Sequence, residues 1–285
     1  MNKPALHLPK NAIWEHFKGP GEPAHFYHAN GFHPGAYGPF LSRLGRRFRL
    51  SALALRAVWP GADARAGGGE EWGLYADDLI AFIEAQCRPP VIGMGHSMGA
   101  SCTALAANRR PDLFKALVLI EPAMVSRPLA ALLRLTPKPL AAFFQPIRGT
   151  LKKRDRWPDR ESFLADYRKF RGYRRFGEET FRAMARHGVR EAPGGGVELT
   201  FPKIWEARNY TRAPFLIHQL RRLSMPCVAI RGEPSLFFGD ALWREWQKRC
   251  PDAVFKENRA FGHLMPLESP SACQALIEEG LAEVL

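Results

Sequence analysis

The sequence predicts an α/β fold, a mostly parallel, doubly wound sheet interrupted once by a helical insertion. Three observations carry that expectation. Short apolar runs alternate with helix-compatible segments through residue 126, and again from residue 224 to the end. Leu117 to Ile120 is continuously apolar, as a strand buried on both faces of a parallel sheet should be. Between Arg127 and about Leu223 the alternation stops, leaving helical periodicities, several prolines and no clear buried strand. The chain therefore divides into a core of 1–126 and 224–285 and an inserted helical domain of 127–223.

The elements follow in order. His25 to Ala29 alternates, is rich in aromatics and ends in an Asn30-Gly31 turn, which marks a strand. Ala36 to Phe48 reads as a helix with Leu41 and Leu44 facing inward, and Leu50 to Leu55 as a second strand. Pro60 to Gly69 is a Gly- and Ala-rich loop. Trp72 to Ala85 is an amphipathic helix through Leu74, Tyr75, Leu79 and Phe82. Val91 to Gly95 is a strand, and the helix after it ends near Arg110-Pro111. Within the insertion, Pro193 to Gly196 is a loop and Val197 to Phe201 a short extended piece. Cys227 to Ile230 resumes the strands. A helix from about Asp240 to Arg249, a strand from Ala253 to Glu257 and a helix from Ser271 to Val284 complete the chain.

Composition narrows the classes. The chain has 285 residues, 46% of them hydrophobic, enough for a full core in one α/β domain with an insertion. No apolar run approaches a membrane span, and Met1 to Pro9 lacks a signal-peptide core, so a cytoplasmic protein is expected. The five cysteines are scattered, without metal spacing or a disulfide framework, and are expected to be reduced. The net charge of +13 is partly local: about 14 Lys/Arg stand against about 6 Asp/Glu between Arg148 and Arg190. Such a stretch is a solvated Arg-rich face, a nucleic-acid or membrane contact, or a device that steers an anionic substrate. No nucleic-acid motif accompanies it, and Phe163, Tyr167 and Phe170 fit a helix's buried face. The expected partner is a small-molecule substrate, an anionic one among the options, with neither nucleic acid nor membrane, for a monomer or homodimer.

Gly95-His96-Ser97-Met98-Gly99 lies between an apolar strand and a helix-compatible segment. G-x-S-x-G in a strand–turn–helix context is a nucleophile elbow. Small flanking residues let the turn adopt a strained backbone and hold the hydroxyl above the sheet edge. In the alternative reading, Ser97 merely caps a helix after an ordinary Gly-rich turn.

Four segments in order, His28-Ala29-Asn30-Gly31-Phe32-His33-Pro34-Gly35, the elbow, Leu119-Ile120-Glu121-Pro122 and Phe261-Gly262-His263-Leu264-Met265-Pro266-Leu267-Glu268, give the chain a resemblance to the α/β-hydrolase superfamily. It spans nearly the whole chain and implies that fold, with a helical cap inserted after strand 6. The resemblance makes Ser97 the nucleophile and His263, the only histidine beyond His218, its base. A serine hydroxyl attacks only when a base within hydrogen-bond reach takes its proton. The oxyanion donors would be the backbone amides of Met98 and Phe32. Asn30 replaces the family's usual histidine, a departure expected to bear on loop support. Asn30, His33 and His96 are assigned to the substrate's surroundings, with His28 flanking the same loop, although the turn aims the His96 side chain elsewhere. No metal constellation is visible, and hydrolases of this superfamily need no cofactor. Ser97 excludes the aspartate-nucleophile route of dehalogenases and epoxide hydrolases.

The acid is the main departure. Many relatives place an aspartate a few residues after the glycine that ends strand 7, where this chain has Ser235 and Leu236. Glu233 is close to the strand end, and Asp240 looks like a helix N-cap. Other members take the acid from the end of strand 6. Glu121 stands there, after an apolar run where an unpartnered carboxylate would be costly. Glu121 is the expected acid, with Asp240 and Glu233 as alternatives. The expected function is a serine hydrolase cleaving a carboxylic ester, lactone or related acyl compound through an acyl-enzyme. A C–C bond hydrolase of a diketone-type substrate, or a non-catalytic small-molecule binder on the same fold, would use similar parts.

Overall fold

In the computed structural model, which describes residues 6–62, 72–235 and 239–285, the apolar runs become the strands of one sheet. Most of the Pro60–Gly69 loop and Leu236 lie outside the described residues. The strands in chain order are β1 (Trp14–Lys18), β2 (Pro23–Tyr27), β3 (Arg49–Leu53), β4 (Val91–His96), β5 (Phe114–Ile120), β6 (Arg156–Trp157), β7 (Val189–Glu191), β8 (Val197–Leu199), β9 (Cys227–Gly232) and β10 (Val254–Asn258). The main sheet runs β1-β3-β2-β4-β5-β9-β10. All its neighbours are parallel except β1, which pairs antiparallel with β3. β4 is buried at every position, as is β5 apart from Lys115, because helices cover both faces. The edge strand β1 was not expected. Its Trp-Glu-His-Phe-Lys sequence is only half buried and carries no clean alternation.

Helices Trp72–Gln86 and Met98–Arg109 cover one face of the sheet; Gly38–Leu44 and Pro270–Val284 cover the other. The chain leaves the sheet after β5, the place given to strand 6 by the resemblance, and re-enters at β9. Between them lie the helices Arg127–Leu135, Ile147–Lys152, Arg160–Arg168, Glu178–His187 and Lys203–Tyr210, with shorter turns. The mainly helical insertion also holds a small antiparallel sheet of β6, β8 and β7; β8 lies within the extended piece expected at Val197 to Phe201, whereas β6 and β7 were not expected. Strands of two or three residues are too short to display an alternating pattern. The β7–β8 connection runs through Gly194, Gly195 and Gly196 at φ +86°, +100° and +72°, a backbone that favours glycine.

The insertion is seated closely on the core. Helix Glu178–His187 packs on the turn Pro34–Tyr37, and a β-carbon on Gly35 would fall 2.3 Å from the His187 ring. Thr180 donates to the Leu267 carbonyl at 3.0 Å. The five cysteines are unpaired. Among the described residues, no helix is long and apolar enough to cross a membrane.

Candidate active site

The parallel strands β4, β5 and β9 are neighbours, so the residues that follow them emerge together at one sheet edge. Ser97 follows β4 with φ +54° and ψ −122°, an unfavourable conformation for a residue with a side chain. The flanking glycines are required sterically. A β-carbon on Gly95 would sit 2.6 Å from the Ala100 backbone, and one on Gly99 2.1 Å from the Tyr27 carbonyl oxygen. Helix Met98–Arg109 can begin this close to the strands only without those side chains.

Three side chains meet at that edge. Ser97 Oγ lies 3.0 Å from His263 Nε2, and His263 Nδ1 lies 2.9 Å from Glu121 Oε2. All three are buried, Glu121 completely. Glu121 also has a positive φ, +48°, which turns the chain sharply after β5. Its Oε1 accepts the Gly232 amide at 2.6 Å, and Oε2 accepts the Ser235 hydroxyl at 2.7 Å as well as facing His263. The loop after β9, where relatives keep an acid, thus supplies donors to an acid on β5. Asp240 is instead exposed and ion-paired with Arg231; it opens helix Asp240–Arg249 after Gly239, which takes the cap position expected for it. Glu233 pairs with Arg259 at 3.3 Å. Neither reaches His263.

His96 departs from its assignment to the substrate's surroundings. Its ring is fully buried beneath the site. Nε2–H donates to the His263 carbonyl at 2.8 Å, and Nδ1 accepts from the Tyr37 hydroxyl at 2.7 Å, whose oxygen takes the Ala29 amide at 3.3 Å. Burial, with His263 nearby, holds its pKa well below the ordinary value, so the ring stays neutral and can both donate and accept. It fixes the His263 loop rather than meeting substrate. His33 is also otherwise engaged. Nδ1 accepts the Gly35 amide at 3.0 Å, the ring stacks on His187, and burial pushes its pKa down to about 4. His28 is buried between the Leu55 amide and the Ala29 carbonyl. The direction of a ring on a turn depends on backbone angles that residue spacing does not reveal.

Asn30 does border the space over Ser97, which is also lined by Met98, Trp72, Met124 and Tyr210 and measures about 20 Å³. Its side chain is nevertheless committed to support. Nδ2 donates to the Glu206 carbonyl at 3.0 Å, and Oδ1 accepts from Asn209 at 2.8 Å. The Asn209 Oδ1 accepts the Tyr75 hydroxyl at 2.9 Å, and its carbonyl takes the Trp72 indole at 2.9 Å. Asn209 was missed by sequence reasoning. Its signal was a polar residue one turn after Trp205 on the buried side of helix Lys203–Tyr210. The same loop presents Phe32, whose amide has no acceptor among the described residues, and Met98 leads its helix with a first-turn amide. The arrangement provides a hydroxyl, a base oriented by a carboxylate, and amides at a helix start, the components of acyl transfer.

Comparison with known proteins bears on the family and the fold. A family model described as the alpha/beta hydrolase family matches residues 26–275. The 2-(acetamidomethylene)succinate hydrolase of Mesorhizobium japonicum is 25% identical over 237 residues, covering 82% of this chain and 79% of that protein. A solved E-2-(acetamidomethylene)succinate hydrolase superposes with a TM-score of 0.77 at 21% identity, over 95% of this chain and 99% of the other. An N-formylmaleamic acid deformylase from Pseudomonas putida S16 gives 0.65 at 17%, over 93% and 94%.

Proposed function

Because the chain belongs to the alpha/beta hydrolase family, we propose that it is a serine hydrolase that cleaves a carboxylic ester, lactone or related acyl compound through an acyl-enzyme. The single observation that carries this reading is the continuous Ser97–His263–Glu121 relay, with both hydrogen bonds within catalytic reach. In this mechanism His263 Nε2 takes the Ser97 proton as Oγ attacks the acyl carbon. The buried Glu121 carboxylate keeps Nδ1 protonated and stabilises the imidazolium. The Met98 and Phe32 amides receive the oxyanion, and His263 returns the proton to the leaving atom. Water then repeats the sequence on the acyl-enzyme.

The 127–223 insertion acts as the cap. The space over Ser97 measures about 20 Å³, roughly one water, and Tyr210 and Ala213 of the insertion line it. Two relatives are named for carboxylated amides, which favours an acyl substrate that carries a further carboxylate. The test is a hydrolysis screen over esters, lactones and amides of graded length, run in parallel with Ser97→Ala. The substitution should lower kcat by about three orders of magnitude or more. Equal turnover by the two proteins would refute the assignment.

A further inference from the structure

A second cavity, about 330 Å³, opens beside the relay. It is lined by His263, Gly262 and Glu268 together with Arg171, Arg174 and Arg175. Half of the basic stretch to which these arginines belong is ion-paired locally, outside the cavity. Lys153 pairs with Glu206, Arg154 with Asp166, Arg156 and Arg190 with Glu198, and Arg168 with Glu178. The cavity is different. Arg175 lies 3.6 Å from Glu268, whose same oxygen already accepts the Gly262 amide at 2.8 Å. Arg171 and Arg174 are exposed and have no ion-pair partner among the described residues. The lining of this cavity of ligand size thus holds three guanidinium groups and one carboxylate, which only Arg175 approaches.

That excess has a chemical consequence. His263 must become an imidazolium as Ser97 attacks. Facing it are the Glu121 carboxylate, which favours the charge, the neutral His96 ring at 5.2 Å between centroids, and the cavity with its Glu268 and three arginines. Unfilled, the arginines oppose the new charge; filled by an anion, they no longer do. We propose that this cavity is the subsite for a carboxylate of the substrate, and that its occupant supports protonation of His263 as well as binding. The planar guanidinium fork matches a carboxylate with two parallel N–H···O bonds. The inference rests on the Ser97 hydrolase reading and adds the charge of the substrate. It sets a specific outcome: an anionic substrate gains in kcat, not in KM alone.

Two ester pairs test it. One is 3-acetoxybenzoate and its methyl ester, with charge on the leaving group; the other is 4-nitrophenyl hydrogen adipate and its methyl ester, with charge on the acyl part. The wild type should favour the anionic member of at least one pair by about tenfold or more in kcat/KM, part of it in kcat. Arg171→Ala/Arg174→Ala should reduce that rate about tenfold while raising kcat for the neutral ester severalfold. Arg182→Ala, on the exposed side of helix Glu178–His187 and outside the cavity, should change neither. Lack of an anionic preference in both pairs, or one that survives the double substitution, overturns the subsite. If none of these esters is turned over, binding decides the subsite independently of the hydrolase reading. Glutarate should then raise the Tm of Ser97→Ala but not of Ser97→Ala carrying both arginine substitutions; equal or absent shifts overturn it.

Discussion

Replacing Glu121 by Gln keeps the size of the side chain and removes its charge. The structure leaves the amide two placements. If its oxygen keeps the Gly232 amide, the NH2 group faces His263 Nδ1, so Nδ1 must become the acceptor and Nε2 carries the proton. Ser97 then has no base. If the amide is turned, its oxygen faces His263, but its NH2 group opposes the Gly232 N–H at 2.6 Å in a site without solvent. That placement costs about 1–3 kcal/mol for unmade hydrogen bonds, in addition to the lost imidazolium–carboxylate attraction. Either way kcat should fall by on the order of 10² to 10⁴, or about 3–5 kcal/mol in the barrier. The assay is kcat on any ester found in the screen, with circular dichroism to show that the variant is folded. Asp240→Asn, at an exposed position paired with Arg231, is the control and should change kcat by less than about threefold. A folded Glu121→Gln enzyme within about threefold of wild type would refute the reasoning, as would an Asp240→Asn enzyme that loses the larger factor.

Two further outcomes follow from the packing. In Gly99→Ala the new methyl would meet the Tyr27 and His28 carbonyl oxygens at 2.1 and 2.6 Å, so the end of β2 must move. We expect on the order of 3 kcal/mol of destabilisation, read as a Tm lower by about 5–10 °C; an unchanged melt would contradict the steric account. Acidification should also weaken the fold. Burial holds the pKa of both His25 and His28 at about 3, and their Nε2 atoms accept the Leu53 and Leu55 amides, which an imidazolium cannot do. Below pH 6.5 the unfolded chain takes up these protons and the folded chain does not. Stability is therefore level above that pH and falls as pH drops towards 3. The two histidines together should remove about 3 kcal/mol between pH 7.5 and 5.5, measured by urea unfolding; equal midpoints at the two pH values would show that they titrate alike in both states.

The parts of the site legible in the sequence were those with local causes. Gly95 and Gly99 sit where a side chain would strike the neighbouring backbone, and a carboxylate at the end of an apolar strand requires a partner nearby. What holds Glu121 was not legible, because the Gly232 amide and the Ser235 hydroxyl arrive from more than a hundred residues away. Ser235 was read as the gap left by a missing acid, whereas it donates to the one present. His96 and His33 were placed near substrate on adjacency, yet their rings are occupied by Tyr37, the His263 carbonyl, Gly35 and His187. The central strands and their helices are long and uniformly buried, so their pattern was readable. β1 is as long as β2 and β3 but only half buried, so no period emerges from it, and of the insertion's short strands only Val197–Leu199 lies in a stretch read as extended.

Among the described residues, Ser97 and Glu121 are the two non-glycine residues at positive φ, and each stands where a strand turns into the site. Conformations of this kind cost about 1–3 kcal/mol each, a noticeable share of a total stability of about 5–15 kcal/mol. Glycine would relieve the backbone at either position while abolishing the relay. At position 121 that relief is offset, because the buried Gly232 amide would lose its acceptor, so a lineage released from the reaction would gain stability at position 97 rather than at 121. Retaining a serine at position 97 requires selection to act continuously against that gradient, so descendants that have abandoned the chemistry should be recognisable by what occupies it.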